Sequence, residues 1–349
     1  MKICFVDTFV PHLTFNVSRL VAGELSKLAD ELIYVVDESS LKLAIDESKI
    51  EPFDICFSTD QYCMSDALKV NADKHVVHIP DVPGWLLDDL ENVQIRKEWG
   101  EIFEILPQFN AVVVHNKLTP KHLLKYSSIL LSKTLKFEHV LYSIDTISAD
   151  AVPRQDEMYQ ICMASVFSPH KHQELLIEAV GLLTNGIDIN GDHVKLEGGS
   201  IPRIVLVGVG LSEDKRDDLQ GRADHYGIPL DIHIGITQLH KFELIKQSMF
   251  GVYTQKSEYI SGLFPIECFY CYKKCICFDY KINQSQFEHH ATYASPDDLR
   301  QLAFKIFNLI NNPEKRGEGT KKANKYVGFS RTPAKHAENL YILFIKICG

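Results

Sequence analysis

Hydrophobic positions along this chain alternate between short β-branched or aromatic runs and longer stretches in which apolar residues recur three and four apart. The runs at residues 2–6, 32–36 and 54–58 read as strands, and residues 17–28 read as a helix between the first two. Two more runs, Val76-Val77-His78-Ile79-Pro80 and Ala111-Val112-Val113-Val114-His115-Asn116, are β-branched and end in polar residues. The rhythm resumes in the second half. Residues 204–210 (IVLVGVG) read as a buried strand closing on a glycine turn. A polar helix follows, then Ile232-His233-Ile234-Gly235, an amphipathic helix over 239–249, a strand at 252–254 and another at 275–279. Ser295-Pro296-Asp297-Asp298-Leu299 has the composition of a helix cap and opens a helix to Leu309. This alternation predicts an α/β protein with doubly wound, Rossmann-like sheets, whose ligands gather beyond the carboxyl ends of the strands.

Composition narrows the picture. With 349 residues and 45% hydrophobic content the chain can bury two cores. Residues 146–157, rich in Ser, Ala, Pro and charge, read as the crossing between two domains, 1–150 and 151–330. A net charge of -9 and a pI near 5.9 argue against general nucleic-acid binding, which needs a basic footprint. Residues 1–6 run into Asp7 and lack the apolar core of a signal peptide, and no run is long enough to span a bilayer. Nine cysteines fit a reducing compartment, so a cytoplasmic location is expected. Cys268, Cys271, Cys275 and Cys277 invite a zinc reading. Their spacing matches no recognised finger, and the expectation is four buried core cysteines and no metal site.

The densest chemistry lies at Ser261-Gly262-Leu263-Phe264-Pro265-Ile266-Glu267. A small-residue turn that opens a helix leaves backbone N–H groups pointing outward, where they can cradle a phosphate. A Glu one turn further in can accept two hydroxyls of a sugar ring. Gly262, Leu263, Pro265, Ile266, Glu267 and Cys271 fall in register on the pattern E-G-F-G-L-P-P-I-E-A-M-A-C-G. By these residues the chain resembles the retaining glycosyltransferases of family 4, which are built on the two-domain GT-B fold. Where the pattern has its first Glu the chain has Tyr259, with Glu258 one residue early. Either the loop absorbs a one-residue shift or that carboxylate is lost.

The resemblance continues at residues 165–179 (SVFSPHKHQELLIEA), which are similar to S-R-L-x-x-x-K-G-x-x-x-L-I-E-A. Lys171 falls on the lysine that meets the donor diphosphate, and Val166 stands where the family has an arginine. A charge-assisted hydrogen bond is worth about 1.5–3 kcal/mol, so this loss implies a ten- to hundredfold deficit rather than inactivity. Leu141-Tyr142-Ser143-Ile144-Asp145 resembles the x-P-N-G-V-D turn that enters the linker. The last helix, about 333–347, carries Leu340, Leu343, Phe344 and Ile347 at helical spacing. The resemblance implies that it completes the first domain, and that two Rossmann-like domains face each other across a cleft.

What the resemblance implies for function is metal-independent, cofactor-free transfer of a sugar, with retention, from a nucleotide-diphosphate sugar to a glycan, lipid or other acceptor. The expected catalytic residues are His78, Lys171 and Glu267. Gly208, Gly210, Gly235, Glu258, Ser261, Gly262, Leu263 and Phe264 are expected to bind the donor. His78 matches in position a histidine that the family places beside the donor sugar; the alternative is a core histidine at a strand end. Two other functions stay open. One is a relative that binds nucleotide or glycan, or supports a partner, without catalysis, for which Val166, Tyr259 and the missing double glycine after Pro11 speak. The other is a nucleotide-sugar epimerase.

Residues 117–137 carry five lysines and no acid, interleaved with leucines. They read as a packed helix with a solvated face, or as a peripheral contact with an anionic membrane. Residues 185–200 echo a calcium loop, but His193 and Gly199 stand where such a loop needs Gly and Glu, and an exposed loop is expected.

Overall fold

The computed structural model describes the chain apart from residues 8–14, 89–90, 128–134, 190–191, 197–200 and 260–261. It divides into two compact units, Met1–Asp145 with Ser330–Gly349, and Thr146–Phe329.

In the first unit six parallel strands, β1 (Lys2–Val6), β2 (Glu31–Val35), β3 (Phe53–Ser58), β4 (Ala72–His78), β5 (Ala111–Val114) and β6 (Lys136–His139), lie in the order β2-β1-β3-β4-β5-β6. Parallel strands need cover on both faces, and the two-residue period of β1 shows how they get it. Ile3 and Phe5 join one core with Val17, Val21, Leu340 and Phe344, while Cys4 and Val6 join another with Trp99 and Phe103. The first core is made by helices Phe15–Leu25 and Pro333–Cys348. The terminal helix starts cleanly because Thr332 Oγ1 accepts from Lys335 N at 3.1 Å and Pro333 occupies the first turn. Its Ala337, Leu340 and Phe344 are fully buried, and each large side chain contributes about 1.5–3 kcal/mol by leaving water.

The second unit repeats the plan with β7 (Gln160–Ala164), β8 (Ile187–Ile189), β9 (Asp192–Val194), β10 (Arg203–Gly208), β11 (Leu230–Ile234), β12 (Phe250–Tyr253), β13 (Cys275–Phe278) and β14 (Thr292–Ala294). Six of these form a parallel sheet in the order β11-β10-β7-β12-β13-β14. From β7 the chain builds outward to β10 and β11 on one side, then returns to place β12 on the other. The β7/β12 junction is therefore the topological switch point, where open α/β sheets leave a crevice beyond their strand ends. Helices Gln173–Asn185 and Leu299–Asn311 cover one face, burying Leu176, Val180, Leu302 and Ile306 against Ile161, Met163 and Val252.

Two stretches differ from expectation. Residues 185–200 are more than a loop: β8 and β9 pair antiparallel, and Ile187, Val194 and Leu196 are buried in the core, because these apolar residues anchor an otherwise polar excursion. The stretch 146–157 opens with a helix, Thr146–Ala151. Its C-terminal carbonyls at Ala149 and Val152 accept from Lys246 Nζ at 2.6 and 2.5 Å, a cation where the helix dipole favours one. Cys268, Cys271, Cys275 and Cys277 are all buried. Of the basic stretch, residues 128–134 lie outside the described residues; in helix Thr119–Tyr126, Leu123 is buried and Lys125 pairs with Asp88 at 3.0 Å. Among the described residues no helix is long and apolar enough to cross a membrane.

Candidate functional site

The two strands at the switch point of the second unit each deliver one part of the site. Beyond β7 the chain makes a single tight turn, Pro169–Lys171, before helix Gln173–Asn185; beyond β12 it runs to helix Phe264–Tyr270. The Thr254 hydroxyl shares its proton between the carbonyls of Lys171 and His172, at 2.9 and 2.8 Å. Lys256 N donates to His170 O at 3.0 Å, so the two segments are stitched together.

Lys171 is buried, and a buried ammonium needs partners. Its Nζ donates to Tyr253 Oη at 3.0 Å and to Gln255 Oε1, lies 5.3 Å from the centre of the Tyr253 ring, and the Tyr253 hydroxyl itself donates to Gln255 Oε1. The turn that carries Lys171 ends on His172 in the left-handed region at φ 49°, the position where the family pattern has glycine. The His172 ring bonds Glu174 Oε1 at 2.9 Å, and Lys215 holds Glu174 Oε2 at 2.9 Å. Burial alone would raise the Glu174 carboxyl, but the bonds from His172 and Lys215 outweigh it and hold it down at about 2. Neighbouring His170 is kept neutral, at about 3, by burial first and then by the charge of Lys171 and by His172.

Gly262 sits where this turn needs glycine. A Cβ there would lie 2.1 Å from Tyr253 Oη, so only a bare backbone can rest on the tyrosine that holds Lys171. Pro265 fills the first turn of the following helix, and among the described residues no side chain caps its N-terminus. One turn in, Glu267 is buried, and its Oε1 accepts from Lys241 Nζ at 2.6 Å.

The other donor-site expectations fare unevenly. Gly208 ends β10, and a Cβ on it would meet Ser165 O at 2.0 Å, so this strand end is packed against the loop that leads to Lys171. Gly235, at φ 63°, donates its N–H to Gly208 O at 3.0 Å; Gly210 also has positive φ. Leu263 and Phe264 form the helix start, and Ser261 lies outside the described residues. Glu258 is exposed, and Tyr259, on the family's glutamate position, donates its N–H to Ser257 Oγ at 3.1 Å. Val166 is exposed.

His78 belongs to the first unit, at the end of β4. Its Nδ1 donates to Thr59 O at 3.0 Å, its Nε2 is buried without a partner, and its ring stacks on Tyr142 with centroids 5.4 Å apart. His115 and His336 also lie against Tyr142, at 6.0 and 5.5 Å. Burial depresses all three: His78 to about 4, His336 to about 3 with help from His78 and buried Arg331, and His115 well below the usual value. At neutral pH His78 is therefore an uncharged ring whose Nε2 is buried.

Sequence reasoning missed Lys241, Tyr253 and Gln255. Lys241 sits in an amphipathic helix, Gln238–Gln247, with no motif around it. Tyr253 was legible as a strand residue, yet nothing in the strand pattern marked its hydroxyl as the partner of Lys171. Among the described residues the metal-ligating types that converge are Glu288, His289 and His290, whose ligand atoms lie within 4.8 Å of one another; they are not part of the cradle.

Comparison with known proteins places this arrangement. The family model described as glycosyl transferases group 1 matches residues 146–326. No curated protein matches the chain in sequence. Among solved structures, TarM of S. aureus is similar at TM-score 0.63 and 18% identity, over 87% of this chain and 58% of that one, so the chain spans little more than half of TarM. HepE of Anabaena, solved in complex with UDP-glucose, is similar at TM-score 0.72 and 13% identity over 99% and 100% of the two chains. Sucrose-phosphate synthase of Thermosynechococcus elongatus is similar at TM-score 0.72 and 12% identity over 99% of each. These likenesses show the fold, which is GT-B. Since the family model covers more than half of the sequence, the chain belongs to the glycosyl transferases group 1 family.

Proposed function

We propose that the protein transfers a sugar from a uridine-diphosphate sugar to a glycan, lipid-linked or other acceptor, with retention of anomeric configuration and without a metal. The second unit binds the donor. The observation that carries this reading is the convergence of Lys171 and the Gly262 turn from the two strands that flank the switch point, joined through Tyr253. The uridine assignment is supported by HepE, whose structures hold UDP and UDP-glucose.

In this mechanism the diphosphate lies against Lys171 and the N–H groups of Gly262, Leu263 and Phe264, with the ribose hydroxyls on Glu267. Cleavage of the glycosidic bond builds negative charge on the leaving diphosphate. A fixed ammonium and fixed N–H dipoles stabilise that charge more in the transition state than in the bound donor, which is the role a divalent cation plays elsewhere.

A second reading, nucleotide binding without transfer, is favoured by Val166 and by the exposed Glu258, which between them remove a cation and a carboxylate from the family pattern. One experiment separates the two. UDP-glucose is incubated with the protein in EDTA, alone and with simple sugar acceptors, and the products are followed by proton NMR. The proposal expects UDP release and an α-configured product from the α-configured donor. Inversion, or a strict need for added metal, would refute the mechanism, and UDP binding with no turnover would establish the second reading.

A further inference from the structure

We infer that Lys241 is a positioning residue for the nucleotide donor: its ammonium fixes the Glu267 carboxylate so that the second oxygen faces the ribose hydroxyls. This rests on the reading of Glu267 as the ribose clamp. The two side chains come from different helices, Gln238–Gln247 and Phe264–Tyr270, and meet at 2.6 Å. They are only 13% and 9% exposed, so neither is a loose surface group. Lys241 Nζ also lies 5.2 Å from the Phe242 ring centre, which limits where the ammonium can go.

Stability alone does not call for such a pair. Replacing a buried ion pair by apolar residues of similar volume is often neutral or stabilising, because desolvating two charges offsets their attraction. A lone carboxylate at this depth would instead be free to rotate about its last torsion, which is broad for Glu. Tied at Oε1, it keeps Oε2 as a fixed acceptor, and a carboxylate has lone pairs enough for both the ammonium and a diol. The thiols nearby do not compete with Glu267 for the ammonium: burial keeps Cys162 and Cys271 protonated and uncharged.

The test compares the wild type with Lys241→Met, Lys241→Arg, Glu267→Gln and the double variant Lys241→Met/Glu267→Gln. The readouts are the Kd of UDP by calorimetry and the rate of UDP-glucose hydrolysis at saturating donor. Lys241→Met is expected to weaken UDP by about ten- to a hundredfold. The saturated rate should stay within about twofold, since the loss falls equally on ground and transition states. Lys241→Arg should restore most of the affinity, and the double variant should bind no more weakly than Glu267→Gln alone. If Glu267→Gln weakens UDP but Lys241→Met does not, or if the two losses multiply, the inference falls while the clamp reading stands. If Glu267→Gln binds UDP like the wild type, the clamp reading falls and takes the inference with it. Should Lys241→Met fail to fold because it strands a buried carboxylate, the Arg rescue and the double variant, which removes both charges, decide the matter.

Discussion

One methyl group at residue 262 should uncouple the donor site. In Gly262→Ala the new Cβ would stand 2.1 Å from Tyr253 Oη and 2.7 Å from its Cζ. Ordinary contact between such atoms lies at about 3.5 Å, so something must yield by about 1.4 Å at the closest contact. Tyr253 is only 1% exposed, and its hydroxyl is bonded to Lys171 Nζ at 3.0 Å. If the ring retreats, it releases a charge-assisted bond worth about 1.5–3 kcal/mol. If the turn retreats, the N–H groups proposed to meet the diphosphate move off their position, and a displacement of that size costs about a hundredfold in rate. Overpacking adds about 1–3 kcal/mol of destabilisation on either route. Calorimetric titration with UDP should show affinity reduced by at least about tenfold, the lower bound of the hydrogen-bond loss. Adding Tyr253→Phe should recover part of the folding stability, because it removes the 2.1 Å contact and leaves the 2.7 Å one. A folded Gly262→Ala protein that binds UDP like the wild type would show that the turn and Tyr253 are not coupled to donor binding.

Two further outcomes follow from other parts of the molecule. His78, His115 and His336 stay neutral in the fold but protonate near 6.5 when unfolded, so the unfolded chain binds more protons as pH falls; their contribution to stability is complete above pH 6.5 and is lost towards pH 4. Between pH 7.5 and 5.5 His78 and His336 should each cost about 1.4 kcal/mol, with His115 adding in the same direction, read from urea unfolding; a flat profile would contradict it. His172, at φ 49°, should tolerate glycine to within about 1 kcal/mol, whereas His172→Val should lose at least about 1–2 kcal/mol in thermal unfolding; equal stability of the two variants would rule this out.

The strands were legible because their residues alternate between two buried faces, as Ile3 and Phe5 against Cys4 and Val6 do. Lys171, Gly262 and Glu267 were legible because a motif named them, and the fold puts the first two on adjacent strand ends. Their holders were not. Tyr253 and Gln255 act across 82 and 84 residues of sequence, and Lys241 meets Glu267 across 26; pairings of that kind depend on sheet order, which no local pattern records. The hairpin of β8 and β9 was missed for a different reason: Val194 and Leu196 are too few to stand out within a polar stretch until the core receives them. His172 was not singled out in the sequence, because its left-handed backbone and its bond to Glu174 belong to the fold.

The most direct test of the central claim is a crystal structure of the protein with UDP-glucose. The diphosphate is expected on Lys171 Nζ and on the N–H groups of Gly262 to Phe264, with the ribose hydroxyls on Glu267. A nucleotide bound elsewhere, or bound here with Lys171 still held by Tyr253 and Gln255 and out of reach of the phosphates, would contradict it.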